Sequence, residues 1–387
     1  MNKRIVKTVA TILSFVLAIG PNLHLAARPS ASEKGKRPVY DPLATWKTPT
    51  RKAKPVLAAR VQTNTLLPGQ TATLLPDGRT LLIGGESHDG PTDATAISDP
   101  RSGEPIQLNN KLHQARAWHS ATMLPDGRVL IVGGIGSDGR VVRSAEIFDP
   151  QMQSFSLVPS SEGAARAHHA ATLLTNGRVL ITGGLLGHGA TSNQALLWDF
   201  KTGGFTFLTN KLSNARHKHR AILLHDGNVL IEGGNGNDGK RVDVAELFNA
   251  ETGTFSFSNI SPDQADLREP LLTASIPVNG AGDVPVDAFA GLLFSKQLRV
   301  ETINSETLIL TGPEGAVKTK VIPAENGKLA FVTPLEALLP GVTYTINISG
   351  VVDAVHRPRT AEGVDDEVAR VVPRVHHDVA HLYLIHI

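Results

Sequence analysis

From about residue 58 the chain alternates short apolar runs with glycine-rich turns, and it does so four times in nearly one register. The stretch from Arg116 to Val158 shows the unit most fully. Ser120-Ala121-Thr122-Met123-Leu124 is a short strand-forming run, Pro125-Asp126-Gly127 a tight turn, and Val129-Leu130-Ile131-Val132 a run apolar at every position. Gly133-Gly134 follows, then a turn at Asp138-Gly139, a third run Ala145-Glu146-Ile147-Phe148, and a fourth, Ser154-Phe155-Ser156-Leu157. Asp-Gly pairs between apolar runs supply the positive-φ positions of tight hairpins, so the unit predicts four antiparallel strands in sequence. A strand apolar on both faces predicts cover on both sides.

Two independent markers keep the register. The turn glycines fall at Gly78, Gly127, Gly177 and Gly227, and the double glycines at 84–85, 133–134, 183–184 and 233–234, both spaced 49, 50 and 50 residues apart. A fixed period near 50 with four short strands per unit predicts blades stacked around an axis, in units of about 58–108, 109–158, 159–208 and 209–260. The double glycines predict places where backbone approaches too closely for a side chain. The fourth strands carry Phe155, then Phe205 and Phe207, then Phe255 and Phe257, expected to fill the widening gap between blades. Repeat one lacks these aromatics, as terminal repeats do.

The pattern changes on either side. A polar linker at 261–268 leads into a second all-β segment, 269–360, in which Tyr344 follows Pro340-Gly341 at the start of an alternating strand and suits a tyrosine-corner role. Residues 361–387, charged and rich in histidine, read as a disordered or truncated tail that leaves the second module short of a strand. At the N-terminus, Lys3, Arg4 and Lys7 precede an apolar run from Thr8 to Gly20 and the small-residue zones Ala26-Ala27 and Ser30-Ala31, which predicts a signal peptide over 1–31. That run falls short of the roughly 20 residues a membrane span needs, so the processed chain is expected not to be transmembrane. Residues 32–57 interleave lysine, arginine and proline without apolar periodicity and read as a linker.

Composition narrows the chemistry. The 387 residues contain no cysteine, which excludes disulfides, thiolate metal sites and thiol nucleophiles. An exported chain without disulfides relies on burial alone, and this fits bacterial export to the envelope or beyond. A net charge of +2 gives no nucleic-acid signal. The Gly-Asn-Gly-Asn-Asp-Gly run at 234–239 lacks the spaced carboxylates of a calcium loop and reads as a hairpin turn. His168, His217 and His225 have no spacing that fixes them on one metal, and no metal or other cofactor is expected.

The motif Arg-x-x-His-x-Ala-x-x-Leu-x-Asp-Gly-Arg-Val-Leu-Ile-x-Gly-Gly at 116–134 resembles the kelch repeat in its bacterial form, similar to the central domain of galactose oxidase. Residues 269–356 resemble a bacterial Ig-like domain. The expected fold is therefore all-β, a kelch-type β-propeller with four recognisable blades followed by an Ig-like β-sandwich. Kelch propellers usually have six or seven blades, so four predicts either a small closed ring or an incomplete propeller. The copper-radical chemistry of galactose oxidase needs a tyrosine joined to a cysteine, and here cysteine is missing and Tyr40, Tyr344 and Tyr383 all lie outside the repeats. Kelch proteins that bind acidic peptides use arginines near the start of the first strand. The resemblance thus singles out Arg116, Arg166 and Arg216 with His119, His169 and His219 as ligand-binding residues, guanidiniums favouring carboxylate or phosphate. The competing account is that a residue present in every blade serves every blade, bonding loop carbonyls and filling the gap between sheets. The expected function is a secreted or cell-surface, non-enzymatic binding protein for a glycan, acidic peptide or other surface ligand. An extracellular carbohydrate-active enzyme on the same scaffold is the alternative.

Overall fold

A computed structural model describes residues 66–102, 104–159, 165–260 and 270–354, with the backbone of 381–386. The leader, the linker and residues 361–380 of the tail lie outside the described residues. All the described residues belong to one unit, Ala58–Ile387.

The Asp-Gly turns close by local chemistry. Asp126 Oδ1 accepts the Arg128 amide at 3.0 Å, Oδ2 accepts Arg128 Nε at 2.8 Å, and Gly127, at φ +85°, donates to Leu124 O at 2.9 Å. Pairing then propagates outward through each repeat. In the second, Ser120–Met123 pairs with Val129–Val132, that strand with Ala145–Asp149, and the last with Ser154–Leu157. The first repeat forms the same sheet from Thr71–Leu74, Thr80–Ile83, Thr95–Ser98 and Ile106–Gln107. The third uses Ala170–Leu173, Arg178–Thr182, Ala195–Asp199 and Gly204–Phe207, and the fourth Arg220–Leu223, Val229–Glu232, Ala245–Asn249 and Thr254–Ser258. Each sheet is one blade.

The first strands stand side by side on the inside. Strand 71–74 packs on 120–123, that on 170–173, and that on 220–223. Among the described residues no comparable packing returns from 220–223 to 71–74, so the blades make an open arc rather than a closed ring of four. The second strands are buried on both faces as their composition predicts: Val129, Leu130 and Ile131, like Val179 and Ile181, have no accessible surface. The aromatics divide by their place along the fourth strand. Phe155 packs on Phe148 at 4.8 Å between centroids, Phe255 on Phe248 at 5.0 Å and Phe205 on Trp198 at 6.5 Å. Phe207 and Phe257 fall two positions further along the outermost strands, beyond that contact, and are exposed at the rim, so only one aromatic per fourth strand fills the gap between sheets.

The Ig-like module adds two sheets. One runs in the order Leu272–Ile276, Ala290–Phe294, Leu329–Pro334, Thr319–Ala324, and the other Gly315–Ala316, Leu308–Gly312, Thr343–Ile348, His381–His386. The last strand is drawn from the segment expected to be a tail. It pairs along the whole of Thr343–Ile348 and supplies the strand the module was expected to lack. Tyr344 is buried and its hydroxyl accepts the Leu339 N–H at 2.9 Å, the corner-fixing bond its position predicts.

Ala290–Phe294 is apolar at all five positions, and the period of two explains why. Leu292 and Phe294, with Ala330 and Val332, face the second Ig-like sheet, whereas Leu293, Leu329 and Phe331 join the core of the blades. The sheet is thus buried between both. Polar ties fix it to the hairpin-turn end of three blades: Lys320 Nζ donates to Asp126 O at 2.6 Å, Lys328 Nζ to Leu223 O at 2.5 Å, and the Leu173 N–H donates to Glu325 Oε1 at 2.7 Å. That end of the arc is occupied by protein.

Burial raises the Glu325 carboxyl to about 7, opposed by the Leu173 bond and by Lys328. Its folded pKa lies above its unfolded one, so the folded state holds a proton the unfolded chain has released between about 4.5 and 7, and stability falls as pH rises through that window. Glu325→Gln keeps an acceptor for the Leu173 N–H and removes the titration. Denaturant unfolding should show the variant gaining about 1–3 kcal/mol on the wild type between pH 5 and pH 8; an unchanged difference contradicts it.

Candidate functional site

With the turn end covered, the opposite end of the arc is the one that can present a site. It is built from the Arg-x-x-His segments that enter each inner strand. Each guanidinium turns into its own blade. Arg116 is fully buried and donates to Gly133 O at 3.0 Å, Ser144 O at 2.9 Å and the Glu146 carboxylate at 2.5 Å. Arg216 repeats this with Gly233 O at 3.2 Å, Val244 O at 3.0 Å and Glu246 at 2.6 Å. Arg166 reaches Gly183 O at 3.0 Å and Gln194 O at 3.4 Å, but the glutamate position of its blade is Leu196. Desolvation by burial lowers Arg166 to about 10. The same glutamates hold the incoming loops, Glu146 accepting the His113 N–H at 2.9 Å and Glu246 the Ser213 N–H at 2.6 Å.

The histidines lie between blades. His119 Nε2 meets Thr71 Oγ1 of the preceding blade at 2.9 Å, His169 meets Ser120 Oγ at 2.8 Å, and His219 meets Thr182 Oγ1 at 2.9 Å. Burial depresses all three, His119 and His219 to about 3, so each is a neutral bridge at physiological pH. The six residues singled out from the sequence therefore form one layer, beneath the surface of the open end.

The surface itself is made by the residue before each histidine. Trp118, His168 and Lys218 have φ of +61°, +52° and +56°, a left-handed conformation that non-glycine residues adopt rarely, and Gly69 holds the same place in blade 1 at +66°. The reason is a bond repeated between blades. Trp118 N–H donates to Gly69 O at 2.8 Å, His168 N–H to Trp118 O at 3.0 Å, and Lys218 N–H to His168 O at 2.8 Å. Successive side chains are thereby presented together: the Trp118 and His168 rings stand 4.7 Å apart, with His217 at 6.3 Å from His168, and Lys218 is exposed. Burial, with Lys218 and His217 nearby, lowers His168 to about 3. Trp118 and Lys218 escape a reading based on repeated residues because theirs is the place in the motif that changes from blade to blade.

His225 stands apart from this cluster on the far side of its strand, and Gly236–Gly239 forms a hairpin turn, Gly239 N–H donating to Gly236 O at 3.1 Å. Among the described residues no set of three or more histidine or acidic side chains is placed to hold a metal ion. Nor is any helix among them long and apolar enough to cross a membrane.

Fold and site together define a kelch-type propeller protein that carries an Ig-like domain. Residues 120–161 match the Kelch motif and residues 266–364 match the Bacterial Ig-like domain. Among solved structures, one titled "Structure of YjhT" is similar over 49% of this chain and 83% of that one, with 14% identity and a TM-score of 0.37. No curated protein compared with the chain matches it.

The arginine layer makes an ordering that can be measured. Arg216→Met strands the buried Glu246 carboxylate and should cost about 3–5 kcal/mol, whereas Arg166→Met strands none and should cost about 1–3 kcal/mol in equilibrium unfolding. The reverse order contradicts the assignment.

Proposed function

We propose that this is a secreted or cell-surface binding protein of bacterial type, and that the open end of its arc recognises a carboxylated glycan. The observation that carries the reading is the row of Trp118, His168 and Lys218, held in a strained conformation by bonds between blades. An aromatic pair offers apolar faces to a sugar ring, and an adjacent ammonium offers a partner for its carboxylate. Strain of this kind persists where the surrounding structure enforces it, and it gathers at binding sites. In this reading Arg116, Arg166, Arg216, His119, His169 and His219 serve the ligand by setting that row in place. The basic, apolar and small-residue order of the first 31 residues supports export, and the Ig-like domain serves as spacer or adhesive unit.

The test is a panel of acidic and neutral glycans and acidic peptides. Lys218→Gln should weaken binding of the acidic glycan at least about 10-fold and flatten its salt dependence, while Trp118→Ala weakens acidic and neutral forms alike. Tight binding of an acidic peptide instead, or glycan binding indifferent to both substitutions with the melting temperature unchanged, overturns the reading.

A further inference from the structure

Three times along the arc, the space beside a double glycine is filled by the blade that follows. Gly85 N–H donates to Arg116 O at 3.0 Å, Gly134 N–H to Arg166 O at 2.8 Å, and Gly184 N–H to Arg216 O at 2.8 Å. At blade 4 the same space is a groove of about 430 Å³, whose lining includes Lys218, Arg220, Glu232, Gly234, Arg241 and Asp243. Among the described residues the Gly234 N–H has no partner, and nothing lies within 4 Å of where a Cβ on Gly233 would stand. Lys218 belongs both to this groove and to the row on the open end, so the two are continuous.

The lining suits a polar occupant and not a further blade. Glu232 stands where the other blades have the buried Ile83, Val132 and Thr182, and the exposed Arg220 where they have Thr71, Ser120 and Ala170. Asn235 pairs with Arg241 at the positions that Ile135 and Val141 hold in blade 2, and Leu185 and Thr191 in blade 3. Ile135 and Leu185 are buried, whereas Arg241 is exposed. A blade, or a second copy of the chain packed as a blade, would bury these charges at a cost. A small polar ligand can meet them with its own donors and acceptors.

We propose that the groove is a second subsite of the site at the open end, and that the ligand is an acidic oligosaccharide of two or more residues. The proposal rests on the reading of the row as a site for a carboxylated glycan. One carboxylate would lie at Lys218 and the next against Arg220 and Arg241, with the Gly234 N–H donating to an oxygen of the second sugar. Arg220 pairs with Glu232 at 3.3 Å and Arg241 with Asp243 at 3.2 Å. A guanidinium has five N–H donors and a bidentate carboxylate takes two, so both arginines keep donors for a ligand. The two acids accept from sugar hydroxyls. That mixture of donors and acceptors selects a sugar acid over a polyphosphate, which has no hydroxyls to offer Glu232 and Asp243. The Cα atoms of Lys218 and Arg220 are at most about 7 Å apart along the chain, within reach of two linked sugars.

The test is calorimetric titration of the full chain with uronic acid oligomers of one to four residues. The wild type should bind oligomers of two or more residues at least about 10-fold more tightly than the monomer. Arg220→Gln with Arg241→Gln should bring the longer oligomers back to the wild-type affinity for the monomer, and Lys218→Gln should weaken binding at every length. Monomer binding with no gain from length, or a gain that the double substitution leaves in place, overturns the second subsite while the reading of the row stands. Binding at no length overturns both, and a polyphosphate bound more tightly than the uronic acid tetramer overturns the choice of ligand. The Gly234 amide of the ¹⁵N-labelled wild type gives an independent readout if the variants fold poorly. Its resonance should move with the dimer and not with the monomer; equal movement with both, or with neither, contradicts the proposal.

Discussion

The structure depends on one close approach, the backbone carbonyl of one blade set against the double glycine of the blade before it. A Cβ on Gly84 would lie 2.3 Å from Arg116 O, and one on Gly183 the same distance from Arg216 O. No side chain fits, so glycine at these positions is a condition for stacking at all. Much else follows from it. The arginine whose carbonyl is used is locked by its guanidinium to its own blade, the histidine three residues on bridges to the preceding one, and the residue before the histidine is forced into left-handed backbone. One contact links the packing of the arc to the display of Trp118, His168 and Lys218.

The two ends of the arc divide the work. At the turn end, Leu293, Leu329 and Phe331 merge the Ig-like sheet into the core of the blades, and Lys320, Glu325 and Lys328 tie it to three of them. At the other end Lys218 is exposed, and Trp118 and His168 are half-buried. Packing is thus concentrated where the modules meet, and the proposed recognition is assigned to the end left over. The cost of this arrangement is a row of strained residues and buried, unpaired polar atoms such as Nδ1 of His119, His169 and His219, which the surrounding sheets hold in place.

Blade architecture was legible in the sequence because its causes are local and repeated. Asp126-Gly127 makes a hairpin by its own bonds, and a run such as Val129–Val132 announces burial on both faces. The Tyr344 corner was legible for the same reason. What the sequence concealed was relational. Nothing local says that Glu146 and Glu246 neutralise two of the three arginines, or that with Leu196 the third has carbonyl partners but no carboxylate among the described residues. Alternation sends Leu292 to one core and Leu293 to another, but the existence of the second core depends on where the Ig-like sheet docks. The strand at 381–386 was hidden by a charged approach that reads as a tail. For the site, repetition pointed to the buried layer and not to the residue before each histidine, because the buried contacts are shared by the blades whereas Trp118, His168 and Lys218 differ from blade to blade.

The central claim is tested most directly by comparing Gly183→Ala with Gly189→Ala in equilibrium unfolding. Both glycines have positive φ, +58° and +74°, but only Gly183 faces another blade, and nothing lies within 4 Å of a Cβ on Gly189. Backbone strain alone costs about 1–2 kcal/mol at either site. Gly183→Ala should lose about 3 kcal/mol or more beyond that, or fail to fold, while Gly189→Ala stays within it. Equal losses at the two positions would contradict the account.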